Sequence, residues 1–196
     1  MIVKHFNTFL QNDSSLLGSP LFVFITGASG VGKSYLTQAL EQKLDPTLVR
    51  VEYFDRIGVP SPEEMIKEYG SGEKWQEVMT HQWMQQLVSE KDKKVVILEG
   101  QFNPQFAVDA CNELDVSRYI LILLHADKKV REHRLIRHRL QPELANETMN
   151  NWAEVLRRKT QELGGLIIDT SDSDIHSPLN EIMNAIENKL QTIFLK

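Results

Sequence analysis

The sequence predicts an α/β fold, a five-stranded parallel sheet sandwiched between two layers of helices. Three observations lead there. Five short apolar runs alternate with stretches of helical apolar spacing, the pattern of successive β-α-β units. The runs are apolar at nearly every position, as in strands covered on both faces. Between the first run and the first helix that follows it lies Gly27-Ala28-Ser29-Gly30-Val31-Gly32-Lys33-Ser34, which satisfies G-x-x-x-x-G-K-[ST] at every fixed position.

Ile2 to Gln11 can form an amphipathic helix with Phe6, Phe9 and Leu10 on one side, broken at Asn12 to Ser15. Residues 1–20 are therefore expected to be a helical leader on the outside of a domain spanning 21–196. Gly18-Ser19-Pro20 leads into the first strand, Leu21 to Thr26. After the glycine loop, Tyr35, Leu36, Ala39, Leu40 and Leu44 recur at helical spacing as far as Asp45-Pro46. The second strand is expected over Leu48 to Phe54, ending at Asp55-Arg56.

An insertion of about 56–93 follows. It carries helical spacing from Pro62 to the Gly70-Ser71-Gly72 turn and again from Trp75 to Lys91. In the second of these helices Val78, Met79, Trp83, Leu87 and Val88 form the apolar stripe. Trp75, His81, Trp83 and Met84 could line a pocket, but aromatic and methionine residues at this spacing read as core. The third strand, Lys94 to Leu98, ends at Glu99-Gly100-Gln101, and a short helix spans Gln105 to Leu114. The fourth strand is Tyr119 to Leu124. A basic helix, Val130 to Leu140, and a helix from Asn146 to Leu163 follow, the first interrupted at Gln141-Pro142 and the second stopped by Gly164-Gly165. The fifth strand, Leu166 to Ile168, ends at Asp169-Thr170-Ser171. Ser177 and Pro178 read as N-cap and first turn of the last helix.

Composition narrows the function. With 196 residues, 41% hydrophobic and 25% charged, the chain suits one soluble domain with a good core. Its formal net charge of −5 argues against broad binding to nucleic acid or acidic membranes. The single cysteine, Cys111, provides neither an internal disulfide nor a metal framework and reads as a small buried hydrophobe. No apolar run reaches membrane-spanning length and the N-terminus lacks a signal-peptide apolar region, so the expected setting is cytoplasmic.

The chemistry is expected where ligands bind in such sheets, at the carboxyl ends of the strands. Glycines let the loop curl so that backbone N–H groups of Gly27, Ala28, Ser29, Gly30, Val31 and Gly32 converge on phosphate oxygens. Lys33 would reach the β- and γ-phosphates and the Ser34 hydroxyl would ligate Mg²⁺. The N-terminus of the helix that follows adds to the anion site. Glu99, after the third strand, can hold Mg²⁺ or its waters. Asp55, after the second, could accept a proton from an acceptor hydroxyl or help hold the metal. Arg56 is either a contact for an anionic acceptor or a solvated loop charge. In the basic helix Arg131, Arg134 and His138 share a face at i, i+3 and i+7, with Arg137 and Arg139 nearby. Arg134 is the arginine best placed to clamp transferring phosphates from a lid of about 130–150, whereas His138 reads as structural or solvent-facing.

With these residues assembled, the chain resembles the P-loop small-molecule kinases related to adenylate, shikimate, gluconate and uridine kinases. Gly27 to Ser34 looks like their Walker A motif and Asp55 like the acidic residue after the second strand that several members use at the acceptor hydroxyl. Glu99-Gly100 is similar to the Asp-Gly of the nucleotide kinases, and Arg134, with Arg137 or Arg139, to the lid arginines. Asp169-Thr170-Ser171 matches the loop near the adenine. The resemblance implies the P-loop NTPase fold with strand order 2-3-1-4-5, a helical lid, ATP and Mg²⁺ as cofactors, and a small-molecule acceptor as partner. Its specific signatures are missing. An arginine-rich GMP-binding stretch is absent, and Gln101-Phe102-Asn103 replaces the Phe-Pro-Arg of adenylate kinases. The leading reading is transfer of the γ-phosphoryl of Mg·ATP to a metabolite, nucleoside or nucleotide. The alternatives are an NTP-binding regulatory module and a nucleic-acid end kinase, which the acidic net charge disfavours. His125-Ala126-Asp127-Lys128 stands where a guanine-reading Asn-Lys-x-Asp would favour GTP.

Overall fold

The computed structural model of the chain describes residues 2–12, 19–172 and 174–194. In chain order its helices are α1 (Ile2–Asn12), α2 (Lys33–Glu41), α3 (Pro62–Tyr69), α4 (Gly72–Leu87), α5 (Pro104–Glu113), α6 (Lys128–Arg137), α7 (Glu147–Glu162) and α8 (His176–Phe194). Its strands are β1 (Leu21–Thr26), β2 (Val49–Tyr53), β3 (Val95–Glu99), β4 (Tyr119–His125) and β5 (Leu166–Asp169). All pairings are parallel, in the order β2-β3-β1-β4-β5.

The central strands are apolar throughout because both faces of the sheet are covered. Every residue of β1 and of β3 is buried. Along β1, Val23 and Ile25 enter one core layer with residues of α1, α2 and α8, while Phe22 and Phe24 enter the other with residues of α4 and α5. The registers Ile25↔Glu99 and Tyr53↔Glu99 bring the ends of β1, β2 and β3 level with one another. This shared edge places the residues that follow each strand in one region.

Several boundaries differ from the sequence reading, each for a local reason. Helix α2 stops at Glu41, and Tyr35 lies largely in solvent rather than in the core. Helix α6 stops at Arg137; Leu140 then takes a left-handed backbone (φ 54°), and the amide of Gln141 returns to the carbonyl of Leu135 at 3.0 Å. Helix α8 starts at His176, so Ser177 lies in its first turn instead of capping it. Asp174 Oδ1 accepts from the His176 amide at 2.9 Å. In α3, Met65 and Tyr69 pack against the core while Ile66 points outward. Trp75, Trp83 and Met84 are buried, as their spacing suggested, and His81 pairs with Glu113 at 2.9 Å. Cys111 is buried, and desolvation pushes its thiol up to about 12. No helix among the described residues is long and apolar enough to cross a membrane.

Helix α1 docks rather than trailing. Phe6 and Leu10 are fully buried in the layer that also holds α2 and α8. Asn7 Nδ2 donates to Lys43 O at 3.0 Å, and the buried Lys94 ammonium donates to Leu10 O, placing a cation at the carbonyl end of α1. The break is expected from Asn12, but Asn12 is the last residue of α1; the rest of it, Asp13 to Ser15, and Gly18 lie outside the described residues. Replacing Phe6 with Ala should lower folding stability by roughly 3–5 kcal/mol, the usual cost of emptying a buried aromatic site. Urea unfolding measures it; a loss below about 1 kcal/mol, as for a surface position, would show that α1 is not part of the core.

Candidate active site

The glycine loop is fixed from three sides. Thr26 Oγ1 donates to Phe102 O at 2.7 Å, and the Gly100 amide donates to Ile25 O at 3.0 Å, locking the ends of β1 and β3 together. Thr170 Oγ1, just past β5, lies 2.7 Å from Val31 O and 2.8 Å from His125 O. Gly30 is left-handed (φ 86°), and a Cβ there would stand 2.8 Å from Arg131 O, so only glycine allows the loop to press against α6. Gly32, also left-handed (φ 92°), is the N-cap of α2, and a Cβ there would meet nothing within 4 Å. The loop therefore opens onto free space at the N-terminus of a helix, the arrangement that attracts phosphate.

Lys33, the first residue of α2, is buried and donates to Ala28 O at 3.3 Å. Burial lowers its pKa, and the nearby Glu99 carboxylate opposes that shift. Glu99, the last residue of β3, is also buried. Desolvation raises its pKa and the charge on Asp55 adds to the rise, while Lys33 and a hydrogen bond from Ser34 pull it down. Each charge is thus held out of water beside the other.

Asp55 reaches this group on a 3₁₀ turn, Phe54–Ile57, directly after β2. The turn is anchored from beneath. Phe54 is buried, its ring centroid 5.8 Å from that of Trp75 and 5.5 Å from that of Phe102, and Trp83 Nε1 donates to Phe54 O at 3.0 Å. Gly100 lies against the same ring, since a Cβ there would stand 2.3 Å from Phe54 Cβ.

Two cavities meet at this point. The larger, about 690 Å³, runs from the loop (Gly30 to Ser34) along Tyr35 and Leu36 to Arg134, His138 and Arg139, and ends among Thr170, Asp172, Asp174, Ile175 and Pro178. The smaller, about 120 Å³, is lined by Ser29, Tyr53, Phe54, Asp55, Glu99, Gly100 and Gln101. Lys33, Ser34 and Arg139 line both.

The sequence-derived candidates fall into two groups. Lys33, Ser34, Asp55 and Glu99 come together at the junction of the cavities. Arg134 lines the larger cavity, but its Nη2 donates to Thr170 O at 2.6 Å and Asp172 O at 3.3 Å, which ties α6 to the loop after β5. Thr170 lines that cavity too. The Asp169 carboxylate instead accepts from Ser171, from its amide at 2.8 Å and its hydroxyl at 2.6 Å. Ala28 is buried beneath the loop. Arg131 is buried and donates to Asn150 Oδ1 at 2.6 Å, joining α6 to α7, while Arg137 is exposed and lines neither cavity.

Helical-face reasoning ranked Arg139 below Arg134, yet Arg139 is the arginine whose charge acts on both Lys33 and Glu99. It reaches them because α6 has ended two residues earlier and the chain turns back. Tyr35 and His138 were likewise read away from the site but line the larger cavity. The sequence signal for Arg139 is the Gln141-Pro142 break placed immediately after it.

The sequence matches no protein-family model and no curated protein. Solved structures do match. A shikimate kinase from Acinetobacter baumannii in complex with shikimate aligns at TM-score 0.60 and 16% identity, over 95% of this chain and 97% of that one. A gluconokinase from Sinorhizobium meliloti 1021 aligns at TM-score 0.61 and 14% identity, over 90% and 97%. The Mycobacterium tuberculosis APS kinase in complex with AMPPNP and APS aligns at TM-score 0.56 and 14% identity, over 86% and 98%. The chain has the fold of the P-loop small-molecule kinases, with the strand order that the resemblance implied.

The buried carboxylate gives a test of the site's electrostatics. The folded-state pKa of Glu99 is raised, so above the ordinary glutamate value of 4.5 the unfolded chain gives up this proton first and stability falls with rising pH. Urea unfolding across that window should show wild-type stability falling relative to Glu99→Gln as pH rises. A difference that rises with pH would mean that attraction to Lys33 outweighs burial.

Proposed function

We propose that the chain is a phosphotransferase that moves the γ-phosphoryl group of Mg·ATP to the hydroxyl of a small molecule. The observation that carries this reading is the pair of cavities joined at Lys33, Ser34 and Arg139. The larger has the volume and lining for a nucleotide: loop amides for the phosphates at one end, and Tyr35, Ile175 and Pro178 as an apolar wall for a base. The smaller presents Asp55 to whatever stands across from the terminal phosphate. The similar structures include one with AMPPNP and APS and one with shikimate, which supports a nucleotide and a small acceptor as the two ligands.

In the reaction, the acceptor oxygen attacks the γ-phosphorus and the bond from that phosphorus to the β,γ-bridging oxygen breaks. The acceptor proton passes to the Asp55 carboxylate and ADP leaves. Lys33 and Arg139 stabilise the charge that spreads over the moving phosphoryl oxygens. The loop amides and Lys33 hold the β-phosphate as it becomes the leaving group. Arg134 positions the lid against Thr170 and Asp172, along one side of the nucleotide cavity.

The donor set suits magnesium. Ser34, Glu99 and Asp55 offer only hard oxygens, and no cluster of three or more His, Cys, Asp or Glu residues able to hold an ion exists among the described residues. Magnesium is commonly bound by one or two carboxylates together with substrate phosphates, which matches such a partial set. Bound there, it would neutralise phosphate charge. The net charge of −5 argues against broad binding to nucleic acid or acidic membranes.

An ADP-release screen against nucleosides, nucleotides, sugars and sugar acids, with Mg·ATP as donor, tests the reading. Lys33→Ala should lower turnover at least ~10²-fold, as loss of a charge-stabilising donor does. Asp55→Asn should lower kcat by roughly 10²–10⁴-fold with ATP affinity nearly unchanged. ATP hydrolysis that no acceptor accelerates would instead indicate a nucleotide-binding regulatory module. Wild-type turnover in the Asp55 variant would remove that residue from the mechanism.

A further inference from the structure

The smaller cavity also bears on which acceptors can enter it, an inference that rests on the phosphotransferase reading. Its charged lining consists of Asp55, Glu99, Lys33 and Arg139. Both cations also line the nucleotide cavity, where the donor's phosphates engage them. With Glu99 turned to the metal, what is left for the acceptor is the Asp55 carboxylate and the neutral groups of Ser29, Tyr53 and Gln101.

Arg56, next to Asp55 in sequence, would be the natural contact for an anionic acceptor. The structure commits it elsewhere. Its Nη1 donates to Glu52 Oε2 at 3.0 Å, and its guanidinium lies 4.6 Å from the centroid of the Tyr53 ring. Arg56 lines a separate recess with Glu41, Arg50 and Lys93 and is absent from the acceptor-side cavity. The carboxylate that holds it is buried on β2 and is also paired with Arg50, so two guanidiniums serve one anion. Tyr53 is fixed in turn, its hydroxyl donating to Glu41 Oε2 at 2.7 Å.

Gln101, a neutral residue of the cavity lining, is held in place. Its side-chain oxygen accepts from the Ser29 hydroxyl at 2.9 Å, and its carbonyl accepts from Gln76 Nε2 at 2.8 Å. The position is therefore built and neutral.

We infer that the acceptor is a hydroxyl compound without an anionic group, uncharged or cationic near its reacting end. A carboxylate or phosphate there would face the Asp55 carboxylate with no cation of the cavity lining left to pair with it, and like charges at close range repel.

Matched pairs test this with wild-type protein and Mg·ATP: a nucleoside against its 5′-monophosphate, a sugar against the corresponding sugar acid, and an amino alcohol against the hydroxy acid of equal length. In every pair that is used, the uncharged or cationic member should have a kcat/KM at least about tenfold higher. Gln101→Lys should shift that ratio about tenfold toward the anionic member. If that variant does not fold, Glu52→Gln, which releases Arg56, should shift it the same way. Preference for the anionic member of any pair overturns the inference, and so does a ratio that neither folded variant moves. Absence of transfer to any acceptor, with ATP binding intact, overturns the phosphotransferase reading itself.

Discussion

A buried ammonium beside a buried carboxylate is the constraint on which the rest of the site depends. Burial disfavours the charge on Lys33 and on Glu99, and each charge offsets part of the other's desolvation. Sheet geometry enforces the pairing. The parallel registers of β1 with β3 and of β3 with β2 bring Ile25, Tyr53 and Glu99 level, so the glycine loop, Asp55 and Glu99 must share one edge. The net burial cost of these charges is a form of preorganisation: their pKa shifts show groups held where water would not hold them.

Aromatic packing beneath that edge supplies the stiffness. Phe54, Trp75 and Phe102 form a dry layer, and the Trp83 indole holds the carbonyl of Phe54. Asp55 rides on this layer one residue from its centre. Asp55 is thus carried by an anchored turn, and Glu52 behind it pairs with both Arg50 and Arg56. Helix α6 is tied through Arg131 to α7 and through Arg134 to the loop after β5, leaving Arg139 at the meeting point of the two cavities.

The parts of this arrangement that the sequence disclosed are those encoded by contiguous residues. Strands covered on both faces leave uninterrupted apolar runs. The loop has a fixed spacing, and the residues ending each run, Asp55 and Glu99 among them, lie at the ligand edge by the logic of parallel sheets. The strand order came only from family resemblance, because no local pattern records which strands pair. Arg139 was under-read because helical periodicity was carried past Arg137, where the helix has already ended in a left-handed turn at Leu140. Tyr35 fits the helical apolar spacing of α2, but at this end of the helix that face borders an open cavity. The orientation of Arg56 and the docking of α1 depend on partners that only the folded chain brings near, Glu52 for the first and α2, α8 and Lys94 for the second.

The most direct test of the central claim is a crystal structure with magnesium and the β,γ-imido analogue of ATP. The account predicts the β- and γ-phosphates against the backbone amides of residues 29–34, the metal between Ser34 and Glu99, and the γ-phosphate between Lys33 and Arg139 facing Asp55. Phosphates bound outside the loop, or a γ-phosphate turned away from Asp55, would contradict it.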